Sequence, residues 1–213
     1  MEKSRFGRGN PRKSNAHERG PSQQSCQGPR KPKRIDQTIS GRRDDAGQAV
    51  AKELQSVEAE AEFINADVRK EDDVRALVDK TVARFGRLDN AVNNAATEGD
   101  RGFITAQTAK SFAATFDTNV LRMVLSMKHE VRATQAQGSG SIINVSSTYG
   151  HEGAGASIYV GAQHAVEGIT KSVALEVAKS GIRVNAVAPG PTDTGMLTRF
   201  TETAENKAGL TAR

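Results

Sequence analysis

The chain has 213 residues, of which 26% are charged and 4% aromatic, with a formal net charge of +5, one cysteine (Cys26) and no tryptophan. That length suits one substantial domain, and the lone cysteine excludes an intramolecular disulfide and a cysteine-built metal site. No run of 18 apolar residues is present to span a membrane and no apolar h-region to act as a secretory signal, so a cytoplasmic setting is expected.

The charge is unevenly placed. Residues 1–34 hold ten Lys/Arg against two Glu, a net of +8, and the remaining residues hold twenty Lys/Arg against twenty-three acids, a net of −3. The first stretch also holds four of the six prolines, and its apolar content is Met1, Phe6, Ala16 and Cys26, without a period of 2 or 3.6. Such a segment cannot offset the entropy of ordering itself, so residues 1–34 are expected to be a disordered basic leader. Its run from Arg30 to Arg34 would suit a nucleic-acid or targeting patch. The acidic body and the scarcity of stacking aromatics argue against specific nucleic-acid binding.

From Ile35 onward, strand and helix patterns alternate. Ile35 to Ser40 reads as a weak strand, with Gly41, Arg42 and Arg43 as the turn after it, and Ala46, Val50, Leu54 and Val57 recur at helical spacing. Glu62 to Asp67 reads as the next strand. An amphipathic stripe follows at Val74, Leu77, Val78, Val82 and Phe85, with Glu71, Asp72 and Asp73 before it and Arg84, Gly86 and Arg87 at its end. That charge order agrees with the helix dipole. Leu88 to Val92 is a short strand running into Asn93, Asn94, Ala95 and Ala96. A broad apolar helix over about 108–132 carries Phe112, Phe116, Val120, Met123, Val124, Met127 and Val131. Ser141 to Val145 is a strand, a helix covers about Ser157 to Lys179, and Ile182 to Val187 is the last strand, closed by Ala188 to Pro191. A polar, partly helical tail is expected to run to Arg213. Strands alternating with helices of this length indicate parallel βαβ units in a doubly wound α/β domain.

Several of these residues also carry a chemistry. A hydroxyl at the end of a strand, Ser147, faced by a phenol on the next helix, Tyr159, would suit work on a carbonyl or an alcohol. Asp67 with Val68, Asn93 to Ala96, Asn119, Ser146 with Ser147, Tyr159, and Pro189 with Gly190, Thr192 and Thr194 stand in the order and spacing of the short-chain dehydrogenase/reductase family. The resemblance covers about Ile39 to Leu210 and is similar to the branch of glucose dehydrogenases and 3-oxoacyl-carrier-protein reductases.

The resemblance implies a Rossmann-type sheet and hydride transfer between NAD(P)(H) and an alcohol or carbonyl substrate. It makes Tyr159 the acid/base, Ser147 the hydrogen-bonding partner of the substrate oxygen, and Asn119 the residue that positions a water relay. Asp67 and Val68 would meet the adenine, and Asn93 and Ala95 would lie against the ribose. Pro189, Gly190, Thr192 and Thr194 would hold the carboxamide end. Arg42 would suit a 2′-phosphate, which favours NADP over NAD. The family also implies a homo-oligomer through the helices over about 108–132 and 157–179. A non-catalytic relative acting as a dimerising or partner-binding module is the alternative.

Three departures from the family pattern shape the expectation. The family's Tyr-x-x-x-Lys reads Tyr159 and Gln163, which share one helix face but supply no cation to lower the phenol's pKa. An unassisted tyrosine of pKa about 10 is ionised roughly one part in a thousand at pH 7, so turnover is expected to be impaired. His164 and Lys171 lie elsewhere on the helix and are not expected to substitute. The first strand, glycine loop and helix have no counterpart in residues 1–34, which would remove the helix N-terminus that cradles the pyrophosphate and leave the strands on either side of that position unpaired or newly paired. The last helix and strand of the family also have no counterpart. The domain over residues 35–213 is therefore expected to be an incomplete Rossmann-type fold.

Overall fold

The computed structural model describes residues 35–57, 59–100, 102–201 and 203. The expectations for a disordered leader over 1–34, and for the tail after residue 203, fall outside them.

Two parallel ladders form the interior. In the first, β1 (Gln37–Gly41) lies beside β2 (Ala61–Asn65), with Gln37 opposite Ala61 and Gly41 opposite Asn65. The crossover between them is α1 (Asp44–Ser56), whose first turn carries Asp44 and Asp45 at the positive end of its dipole. Ala51 and Leu54 of α1 pack with Ala61, Phe63 and Ile39 into a small apolar cluster. Gly47 permits this, because a Cβ there would stand 2.0 Å from the Phe63 ring.

In the second ladder β3 (Asn90–Asn93), β4 (Gly140–Val145) and β5 (Ile182–Val187) run parallel in that order. One face is covered by α4 (Arg122–Gln137) and α5 (Ser157–Val177). Met123, Met127, Val166 and Val177 from these helices meet Ala91, Ile142, Ile182 and Val184 from the strands in the main core. On the opposite face Val92 and Val187 are 62% and 51% exposed.

The strand order makes the fold a Rossmann-type α/β sheet flanked by helices, and an incomplete one. Among the described residues β1 pairs with β2 and β3 pairs with β4, and no ladder joins β1 to β3. The interruption falls where the sequence lacks the family's first strand. A helix spans the gap instead. α2 (Glu71–Phe85) bonds to β1 through Thr81 Oγ1 and Thr38 Oγ1, 3.0 Å apart. On its other side Glu71 pairs with Lys128 and Asp79 with Arg132, both on α4.

The helix expected over about 108–132 is built in pieces. α3 (Ala109–Phe116) starts from a capping box in which Thr108 and Ser111 satisfy each other's backbone and side-chain groups. A π-helical turn at Asp117–Leu121 follows and leads straight into α4. The last helix among the described residues, α6 (Gly195–Thr201), is short and buries Leu197 and Thr201.

Candidate functional site

Strands run parallel within each ladder, and the loops that follow β1, β2 and β3 line one cavity, the place where α/β folds bind ligands. A second cavity adjoins it. The first, of about 330 Å³, is lined by Arg42 after β1, Asp67, Val68 and Arg69 after β2, Ala95 and Thr97 after β3, and Arg199 of α6. The second, of about 460 Å³, is lined by Ser147, Tyr149, Tyr159, Gln163, Thr192 and Thr194, with Pro189 and Gly190 beside them. The two share Ala96 and Glu98.

In the first cavity Asp67 is held as an anion. Its carboxylate accepts from Arg69 Nη2 at 2.6 Å and Nε at 2.9 Å, and from the Arg69 backbone N–H at 3.1 Å. These bonds and the Arg69 charge outweigh desolvation and lower the Asp67 pKa to about 2. The Arg42 guanidinium contributes to the same effect.

Two of the sequence-derived candidates serve the framework behind the cavities. Asn119 is fully buried in the π-helical turn, where its Oδ1 accepts from the Thr97 backbone N–H at 2.8 Å and its Nδ2 donates to the Thr97 carbonyl at 2.9 Å. The side chain thereby clamps the loop after β3 that carries Ala96 to Glu98. Asn93 is buried, and its Nδ2 donates to Glu130 and to Asn144, each at 3.0 Å. Asn144 in turn donates to Thr170 at 2.9 Å on α5.

In the second cavity Ser147, two residues past the end of β4, caps the following turn, accepting from the Tyr149 backbone N–H at 3.3 Å. Tyr159 enters from the first turn of α5. Gln163, one turn on and 2% exposed, donates its Nε2 to the Tyr159 hydroxyl at 3.3 Å. Burial pushes the Tyr159 pKa above its ordinary value, and the Glu98 charge and Tyr149 add to this against the lowering bonds of Ser147 and Gln163. A protonated, hydrogen-bonded phenol results. His164 faces away, its Nδ1 3.0 Å from the Val160 carbonyl. Thr194 begins α6, accepting at Oγ1 from the Leu197 N–H at 3.5 Å, and Thr192 donates to the Gly190 carbonyl at 3.1 Å.

Three features were not foreseen. Tyr149 stands edge-on to Tyr159, ring centroids 6.5 Å apart at 89°. Glu167 accepts from Ser146 Oγ at 3.2 Å, and its same oxygen lies 3.2 Å from His151 Nδ1, which ties the turn after β4 to α5. Glu98 pairs with Arg199 across 101 residues, with Nε–Oε1 at 2.6 Å and Nη2–Oε2 at 3.3 Å. A lone loop acid and a lone arginine on a short helix give no sequence signal for such a pair. Among the described residues, no group of three His, Cys, Asp or Glu side chains is placed to hold a metal ion, and no helix is long and apolar enough to cross a membrane.

Known proteins share this arrangement. A family model described as short chain dehydrogenase matches residues 33–205. The 2,5-dichloro-2,5-cyclohexadiene-1,4-diol dehydrogenase of Sphingobium indicum is 40% identical over 169 residues, 78% of this chain and 65% of that protein. Xanthoxin dehydrogenase of Arabidopsis thaliana is 44% identical over 150 residues, 68% of this chain and 53% of that protein. The chain thus spans between about half and two thirds of the length of these relatives. Among solved structures, levodione reductase superposes with a TM-score of 0.76 at 30% identity, covering 80% of this chain and 69% of the other. ElxO with NADP bound gives 0.72 at 34% identity, covering 79% and 68%.

Proposed function

Because the chain belongs to the short-chain dehydrogenase family, we propose that it is an NAD(P)-dependent oxidoreductase acting on an alcohol or carbonyl substrate, with lowered turnover. The observation that carries this reading is the second cavity, where the Ser147 and Tyr159 hydroxyls meet at the end of β4. The nicotinamide cofactor, when bound, supplies or accepts the hydride. Tyr159 passes a proton to or from the substrate oxygen, Ser147 holds that oxygen by a hydrogen bond, and Asn119 fixes the backbone beneath them. Gln163 keeps the phenol oriented but gives it no cation, so Tyr159 works as an acid more readily than as a base.

The donor set fits the two ends of a dinucleotide. Asp67 offers a carboxylate with Val68 beside it, Asn93 and Ala95 set the course of the chain after β3, and Thr192 and Thr194 offer hydroxyls beyond Pro189 and Gly190. Arg42 favours a 2′-phosphate and thus NADP, and the relative solved with NADP bound supports use of a nicotinamide dinucleotide. Titrating the purified chain with NADPH and NADH by calorimetry tests this. Binding weaker than micromolar, with NADPH preferred, is expected of a chain without the glycine loop; micromolar affinity would overturn that loss, and no binding of either would end the reading.

The apolar side chains left on the helix surfaces support self-association. Phe112, Leu121 and Val124 are 46%, 43% and 38% exposed on α3, the π turn and α4, and Leu175 is 81% exposed on α5. A homo-oligomer through the helices over about 108–132 and 157–179 would cover them, and sedimentation velocity of the wild type and of Phe112→Glu tests it. The lone cysteine supports a cytoplasmic location.

A further inference from the structure

The two cavities meet at Ala96 and Glu98, and the Glu98–Arg199 ion pair stands at that junction. The first cavity contains Arg42 and the ionised Asp67; the second contains Tyr159. Any ligand long enough to occupy both must pass the pair. If the ligand is a dinucleotide, as the proposed function has it, the part that passes the junction is its bridging diphosphate, which is anionic. A carboxylate at that point repels it and a guanidinium attracts it.

We propose that Arg199 is a diphosphate-binding residue held in reserve by Glu98, and that cofactor entry exchanges one anionic partner of Arg199 for another. Arg199 is suited to the exchange. Its side chain is 63% exposed, it sits on the short helix α6, and it already lines the first cavity, so a change of partner needs only a rotation of its own side chain. Its guanidinium matches phosphate geometry through two parallel N–H donors. Glu98 is the more confined member, 13% exposed. Desolvation alone would raise the Glu98 pKa, but the Arg199 hydrogen bond, a bond from its own backbone and the Arg199 charge together hold it below the ordinary value. Released from Arg199 beside a diphosphate, Glu98 becomes easier to protonate. Binding is therefore linked to proton uptake in the acid range, and Glu98 acts as an internal competitor for the cofactor.

The test is NADPH titration calorimetry of the full chain and three variants, run at pH 5 in buffers of different ionisation enthalpy. Arg199→Ala is expected to weaken binding about tenfold or more, and Arg199→Lys by less. Glu98→Gln is expected to tighten binding severalfold and to abolish proton uptake. Wild-type affinity in Arg199→Ala, or unchanged proton uptake in Glu98→Gln, would overturn the exchange while leaving dinucleotide binding intact. A wild type that binds no NADPH would overturn both. Gln is isosteric with Glu, and Lys keeps the charge at an exposed position, so these two variants remain readable if Arg199→Ala folds poorly.

Discussion

Glu130 is a carboxylic acid enclosed by the core, with Asn93 donating to it and the Arg122 charge acting on it from two turns back along the same helix. Burial outweighs both and raises its pKa from 4.5 to about 7; the same burial lowers Arg122 to about 10. Since the folded pKa lies above the unfolded one, the folded state binds more protons between the two values. Stability is fully present below about pH 4.5 and declines as pH rises through about 7, by roughly 3 kcal/mol at most. Melting temperature measured against pH should fall over that window, and Glu130→Gln should flatten the profile. At Gln163 the expected result is different. An ammonium one turn from Tyr159 lowers a phenol's pKa by one to three units, so Gln163→Lys should raise turnover about tenfold and move the basic limb of the pH–rate profile down. The same substitution should lower the melting temperature, because the position is 2% exposed. Ser147 and Tyr159 were legible because a strand end and a helix start bring them to one cavity from only twelve residues apart. Glu98 and Arg199 were not, since nothing local distinguishes them from solvated loop charges. Glu130 was hidden for a related reason: its helix also carries Arg122, Lys128 and Arg132, and a lone acid among them reads as surface.

Among the elements, β5 was read to the residue, because apolar Ile182, Val184 and Ala186 alternate with polar Arg183 and Asn185 in a segment bounded by Gly181 and Pro189. The reading of β3 began two residues early, at Leu88. The Gln137 side chain accounts for this: it accepts from the Leu88 N–H at 3.0 Å and donates to the Leu88 carbonyl at 3.2 Å. That amide stands in for a neighbouring strand, so Leu88 is satisfied outside the ladder. The π-helical turn was also missed, since hydrophobic spacing at Phe112, Phe116 and Val120 fits an unbroken α-helix. It arises where Asn119 reaches out to Thr97, and an extra residue in the turn lets that side chain face the loop. Gly181 is constrained twice over. It has φ +71° and a Cβ there would stand 2.6 Å from the Gly138 carbonyl oxygen. Gly181→Ala should therefore cost about 1–3 kcal/mol in urea unfolding, with the β4–β5 ladder the part displaced.

For the whole molecule, the decisive fact is that the described residues form two cores. Ala51, Ala61 and Phe63 belong to the smaller one, and Met123, Ile142 and Val166 to the larger. The alternation of strands and helices identified the Rossmann-type layout, and the absent central strand predicted a break in it. Sequence patterns did not reveal how the break is bridged, because α2 uses side-chain charges that pair with another helix. Amide hydrogen exchange should separate the two parts: β4, laddered on both sides and with Ile142 fully buried, should exchange slowest, and β1 and β2 sooner. The ion pairs of α2 with α4 are exposed, and added salt screens such pairs. Under mechanical load the same layout sets a line of parting. Pulled apart, β1 and β2 with α1 would leave together, since no strand-to-strand ladder among the described residues has to be broken to separate them from β3.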